Sequence, residues 1–276
     1  MIYEGITMSN ESNEKLKNKD NSLSIKLMYN IGTLIFSVFL VHSIYLFSIR
    51  PNAQSILALA EQNNISAPRS LSIILMNYEQ EFCIILMLWA IFMLAEKINN
   101  VVKQNYMMDM DFLEFKEGED PSKGDLLSAI DKLKKIKIGF GDNVLIQTLS
   151  SSLKRYSTTR NLQNASETAI STADNIGMRL EAELSMIRYI IWAIPSIGFI
   201  GTVRGIGDAL SQADVALEGD ISGMTASLGV AFNSTFVALL ISILLMFLLH
   251  QIQQMYDQLI LDAQGYCDEY FINKIY

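Results

Sequence analysis

The chain has 276 residues, half of them hydrophobic and only 18% charged, with a net charge of −8. A soluble domain carries charge on about a quarter of its residues, so this composition points to a membrane, and the acidic balance argues against a nucleic-acid partner. Two cysteines in unlike surroundings, Cys83 and Cys267, suggest neither a disulfide framework nor a metal site.

Residues 1–26 are polar and mixed in charge, and no small-residue cleavage site follows the first apolar block, which reads as a retained helix. A bilayer core of about 30 Å needs roughly 20 helical residues. Leu27 to Ile49 meets this length without a charge. Phe82 to Ala95 is shorter and spans only if Glu79 and Glu81 sit at one interface and Glu96 and Lys97 at the other. Ile187 to Leu210 is interrupted by Pro195 and several glycines, and Met224 to His250 is the longest run. Lipid offers no water to an open strand edge, so each run is expected as a helix. The expected fold is an all-α integral membrane protein with four transmembrane helices. Its divisions are an N-terminal tail (1–26), a first hairpin (27–98), a cytoplasmic helical domain (99–186), a second hairpin (187–250) and a C-terminal amphipathic helix (251–276).

Basic residues give the direction. The tail carries Lys15, Lys17, Lys19 and Lys26, and residues 97–186 hold twelve, including Lys132, Lys134, Lys135 and Lys137. The first inter-helix loop has only Arg50 and Arg69, and the last connection has none but carries Asp208, Asp214, Glu218 and Asp220. The positive-inside rule then places both termini and the middle segment in the cytoplasm.

Within the middle segment, Asp109 to Asp125 reads as loop, and Leu126 to Ile138 and Val144 to Tyr156 as amphipathic helices. From Ser166 the apolar positions Ile170, Ala173, Ile176, Leu180, Leu184 and Ile187 recur at three and four, predicting a helix that runs into the third span. After His250, Ile252, Met255, Tyr256, Leu259, Ile260, Ala263, Tyr266, Cys267, Tyr270 and Phe271 form one stripe. Such a stripe packs either within one subunit or as a collar between subunits.

The third span is rich in small residues: Gly198, Gly201 and Gly205 leave one face nearly bare, and the fourth answers with Ser227, Ala231, Ser234, Ala238 and Ser242. Small faces let membrane helices approach closely. Thr202 lies within the glycine stretch, and Asn233, Ser234 and Thr235 form a polar patch. A single hydroxyl at this depth often bonds back to the preceding turn, whereas a cluster suits a polar lumen or an interhelical contact. No Asp or Glu lies near the middle of any span. Arg204, permanently charged, is expected to snorkel outward or to pair with Asp208 one turn away, and His42 to be a hydrogen-bonded packing residue. A titrating carboxylate for proton transfer would have to come from elsewhere.

Three stretches carry a resemblance. Arg179-Leu180-Glu181 with Leu184, then Pro195-Ser196-Ile197-Gly198-Phe199-Ile200-Gly201-Thr202-Val203-Arg204-Gly205-Ile206, then Val230-Ala231-Phe232-Asn233-Ser234-Thr235-Phe236-Val237-Ala238-Leu239 resemble the pore helices of the MotA/TolQ/ExbB proton-channel family. About a quarter of the chain is covered. Four spans with a cytoplasmic domain between the second and third resemble the flagellar MotA branch, and Gly-Thr-Val the TolQ/ExbB branch. Arg204 stands where that branch has tryptophan, and Val230 where it has glutamate.

The resemblance implies a ring of five subunits around a pair of single-span partners of the MotB/TolR/ExbD type, in the bacterial inner membrane. A partner aspartate would take up the ion, with a proton favoured over sodium, and no cofactor is implied. Thr202 and Thr235 would line the inner wall with Ser234 and Asn233. Pro195, Gly198, Gly201, Gly205, Ala231 and Ala238 would set the packing. A non-conducting scaffold that recruits partners through its cytoplasmic helices is the alternative. A secondary transporter ranks lower for want of an inverted repeat or a substrate-binding charge. No nucleophile–base pair, metal cluster or phosphate loop points to an enzyme.

Overall fold

A computed structural model describes residues 24–25, 27–63, 70–108, 112–113, 115, 118, 120–140 and 143–275, with backbone alone at 61, 134 and 136–140. The N-terminal lysines, Arg69, and the side chains of Lys134 and Lys137 lie outside the described residues. All regular structure among the described residues is helical. The helices are α1 (Leu27–Ala60), α2 (Leu71–Leu75), α3 (Tyr78–Asn105), α4 (Lys123–Phe140), α5 (Val144–Thr159) and α6 (Leu162–Glu183). They continue with α7 (Ser185–Leu210), α8 (Ala213–Leu217), α9 (Ser222–Cys267) and α10 (Asn273–Ile275).

Among the described residues, three helical stretches are long and apolar enough to cross a bilayer: Leu27–Ala60, Leu162–Leu210 and Ser222–Ile275. The second joins α6 to α7 through a tightened turn at Leu184, whose N–H reaches the Glu181 carbonyl at 3.1 Å. The predicted span Phe82 to Ala95 lies inside α3, which has acidic residues in its first turn and Lys103 in its last, and α3 is not among the three.

The chain divides into two compact units, Met1–Met93 with Ile190–Leu245, and Leu94–Tyr189 with Met246–Tyr276. In the first, α1 and α3 meet through Val41, Tyr45 and Ile85, flanked by Leu34, Ile49, Ile84 and Leu88. Phe36 packs edge-on against Phe92 at 5.8 Å, and the Trp89 indole N–H donates to the Asn30 carbonyl at 3.1 Å. Much of the remaining surface of α1 is apolar and exposed, Phe39 at 74% and Phe47 at 84%, as suits a surface facing lipid. Pro51 lies within α1 and has no N–H to offer the preceding turn. The helix accommodates this with a π-turn at Tyr45–Ile49.

The second unit has its own core. Leu126, Leu133, Leu145, Ile146, Leu149, Leu153, Ala165, Ala169 and Ala173 of α4–α6 pack with Leu259, Ala263, Tyr266 and Phe271. Asn143 and Asn161 cap α5 and α6, accepting from the N–H groups of Ile146 and Asn164. Arg160 ends α5 in the left-handed region at φ 52°. Its guanidinium donates to Asp120 and to the Pro121 carbonyl. The Tyr156 hydroxyl also donates to Asp120, at 2.8 Å, and burial together with this bond holds the phenol above its ordinary value. The stripe after His250 is therefore covered within the chain, which answers the question its periodicity left open. α4 begins three residues before the predicted helix and ends two after it, so residues 123–125 of the predicted loop are helical, whereas residues 120–122 are not; α5 begins at Val144 as predicted and ends three residues beyond Tyr156.

Candidate functional site

The seam between α7 and α9 is built from residues without bulk. Side chains run in opposite order along it: Gly198 faces Ala238, Gly201 faces Ser234, and Gly205 faces Ala231, as antiparallel neighbours must. A Cβ at Gly198 would lie 2.6 Å from that of Ala238, one at Gly201 2.5 Å from that of Ser234, and one at Gly205 2.8 Å from the Ala231 nitrogen and the Ser227 carbonyl. No side chain fits at these distances, so the backbones touch. This is the close packing that small residues permit in lipid.

Pro195 sits inside α7 and leaves the Ile191 carbonyl without its usual N–H. Ser242 of α9 supplies the missing donor, its hydroxyl reaching that oxygen at 3.1 Å from a buried position. An unpaired carbonyl in lipid costs several kcal/mol, so Ser242 holds the proline in place. The small-residue stripe includes Ser242, but only the fold pairs it with Pro195.

Between Gly198 and Gly205 the seam carries two hydroxyls. Thr202 Oγ1 and Thr235 Oγ1 are in direct hydrogen-bond contact. Thr202 also lies 3.2 Å from the Gly198 carbonyl and 3.1 Å from the Ala231 carbonyl, and Thr235 lies 3.3 Å from the Gly198 carbonyl. Each hydroxyl has one proton and two lone pairs, so the pair shares two protons among these acceptors and can exchange partners. Both threonines are half-buried, which leaves the pair reachable from one side.

Three sequence expectations change here. Ser234 is grouped by sequence with the pore-lining residues, yet it is 1% exposed. Its hydroxyl donates to the Val230 carbonyl and accepts from Gln80 of α3 at 3.3 Å, so it is a packing residue between helices. Asn233 is half-exposed and remains open to a lining role. Arg204 does not pair with Asp208. Its Nε and Nη2 each lie 2.9 Å from the two oxygens of Glu79, a side-on fork that a neighbour on the same helix could not offer as well.

The third change concerns the acids at the start of α3. Glu79 pairs with α7, Gln80 bonds α9, and Glu81 is held by His42 and Arg50 of α1. Three consecutive residues thus tie α3 to each of the other long helices of this unit. Glu81, expected at an interface, is buried, and a carboxylate does lie against the first span. His42 is hydrogen-bonded, at 2.6 Å from Glu81.

The connection from α7 to α9 turns through Gly219 at φ 108°. Beyond it, Asp220 accepts from the Ser222 hydroxyl and N–H, which lowers its carboxyl below the usual range. Among the described residues no group of His, Cys, Asp and Glu side chains is arranged to hold a metal ion.

Neither a curated protein nor a solved structure matches the chain. Residues 140–264 match the model of the MotA/TolQ/ExbB proton channel family.

Proposed function

We propose that this chain is the ring subunit of a membrane motor driven by the proton-motive force. Five copies surround two single-span partner helices of the MotB/TolR/ExbD type, and a partner aspartate carries the proton. The observation that carries this reading is the Thr202–Thr235 pair, reachable on a seam of bare backbone inside the family-matched segment. A carboxylate entering a low-dielectric ring costs several kcal/mol unless it is protonated or hydrogen-bonded. Two hydroxyls able to exchange partners lower that cost for the charged form, and protonation removes it. Repeated uptake and release would step the ring around its partner, with no chemistry at an active site and no cofactor. In this reading α3 is also a span, the second of four in chain order, and both termini lie in the cytoplasm of a bacterium. Gly198, Gly201, Gly205, Ala231 and Ala238 fix the seam against which the partner moves.

Thr235→Val keeps the shape of the side chain and removes the hydroxyl. It should abolish proton conductance and motor output of the complex while the complex still purifies intact. Undiminished conductance would refute the role. A second reading, a non-conducting scaffold, draws on the bonds that both hydroxyls make to Gly198 and Ala231. In that case the wild-type complex conducts nothing, and Thr235→Val changes only its stability.

A further inference from the structure

The helical unit of residues 94–189 and 246–276 is divided in charge. Residues 162–183, which form α6, and residues 246–276 together hold eight acidic residues against two basic ones. Residues 123–160, which contain α4 and α5, hold eight basic residues against three acidic ones. Both groups turn their apolar sides to one shared core, so the opposed charges point outward from different helices.

α6 and α9 run antiparallel here. Gln264 Nε2 donates to Asp174 at 3.0 Å, and Gln253 Nε2 donates to Glu181 at 3.1 Å. At about 100° per residue, Glu167, Asp174 and Met178 fall on one stripe of α6, turned away from the buried Ala165, Ala169 and Ala173. Asp257, Leu261 and Asp268 make the matching stripe on α9 and just beyond it, turned away from the buried Leu259, Ala263 and Tyr266. A Cβ at Gly177 would touch Ile260 at 3.4 Å, which sets Met178 and Leu261 at the same level. Both are 64% exposed. The charged members of the two stripes are all acidic, so an apolar centre stands inside a rim of carboxylates. That is the anatomy of a contact surface.

The complementary charge is on α4. Leu126, Ala129 and Leu133 face the core, which puts Ser128, Lys132 and Lys135 on the outward side, with the half-exposed Leu127 at its edge. α5 adds the exposed Lys154 and Arg155.

We propose that the acidic stripes of α6 and α9 dock the basic outward face of α4 from a second copy of this chain. Charge complementarity names the occupant, since one polypeptide carries both faces and its own α4 is already committed to the core by its other side. Like charges keep the acidic face from meeting its own kind. Each copy offers one face of each sign, so the contact is heterologous and passes from copy to copy until it closes. This rests on the ring of copies proposed above and adds to it the surfaces by which the helical units join.

The test is bismaleimide cross-linking of the full-length chain in its membrane, with one cysteine on each face. Wild-type chain is the control, because Cys83 and Cys267 are buried. Leu261→Cys combined with Ser128→Cys should give a ladder of covalent oligomers, and so should Met178→Cys combined with Ser128→Cys. Any of these substitutions alone should give none. Adding Glu167→Lys and Asp257→Lys should abolish the ladder. Linked dimers from Leu261→Cys alone would mean that like faces meet, and would overturn the proposal, as would a ladder that survives the two lysines. A chain that is oligomeric by native mass spectrometry but yields no ladder from either pair overturns it too, and the acidic face is then covered by another protein or by solvent. A monomeric chain would sink the ring itself, so the two readings fail in distinguishable ways.

Discussion

Gly205 and Gly207 are two residues apart on α7 and have opposite surroundings. A Cβ at Gly205 meets the Ala231 nitrogen and the Ser227 carbonyl at 2.8 Å, whereas one at Gly207 meets nothing within 4 Å. Backbone cannot swing aside as a side chain can, so Gly205→Ala should cost about 1–3 kcal/mol, the range for overpacking. Gly207→Ala should be neutral or slightly stabilising. Thermal unfolding of the two variants in detergent checks this, and equal midpoints would mean that the seam gives way. Ser242→Ala is a sharper probe of a single bond. It strands the Ile191 carbonyl that Pro195 has already deprived of its N–H, for an expected loss of about 1–2 kcal/mol. In a Pro195→Ala background the loss should shrink, because the helix then supplies its own donor. A double-mutant cycle reads that coupling directly.

At the scale of elements, α9 is a single helix of 46 residues, about 70 Å long at 1.5 Å per residue, more than twice the thickness of a bilayer core. Its far end is not a free tail. Phe271, just beyond it, is fully buried, edge-on to Tyr156 at 5.7 Å and near Phe115 at 6.3 Å. Phe271→Ala should therefore cost about 3–5 kcal/mol within its unit, visible as earlier proteolysis between α4 and α6, while a truncation of α10 alone should matter less. The apolar stripe and its period are legible in sequence because every turn repeats the same face. What covers a stripe is not, since periodicity names a face and never its neighbour. The same reasoning explains the glycine seam, readable from spacing at Gly198, Gly201 and Gly205. It also explains why Glu79, Gln80 and Glu81 were opaque. Their partners stand 125, 154 and 31–39 residues away, and a local view offers Arg204 only the acid one turn along. The π-turn leaves a weak local trace in Pro51, but the meeting of His42 and Arg50 on Glu81 is visible only in three dimensions.

For the whole molecule, the family match covers residues 140–264, which includes α5, α6, α7 and most of α9 but leaves out α1 and α3. The part that carries the Thr202–Thr235 pair thus lies inside the match, and the polar turn that braces it from α3 lies outside. The central claim is that these hydroxyl-bearing seams face a second polypeptide that brings the acid. The most direct measurement is an electron cryo-microscopy reconstruction of the chain purified from its native membrane with whatever remains bound. The account predicts five copies around two single-span helices, with a foreign carboxylate at the level of Thr202 and Thr235. A centre filled by lipid or closed by the copies themselves, with no second chain at that level, would contradict it.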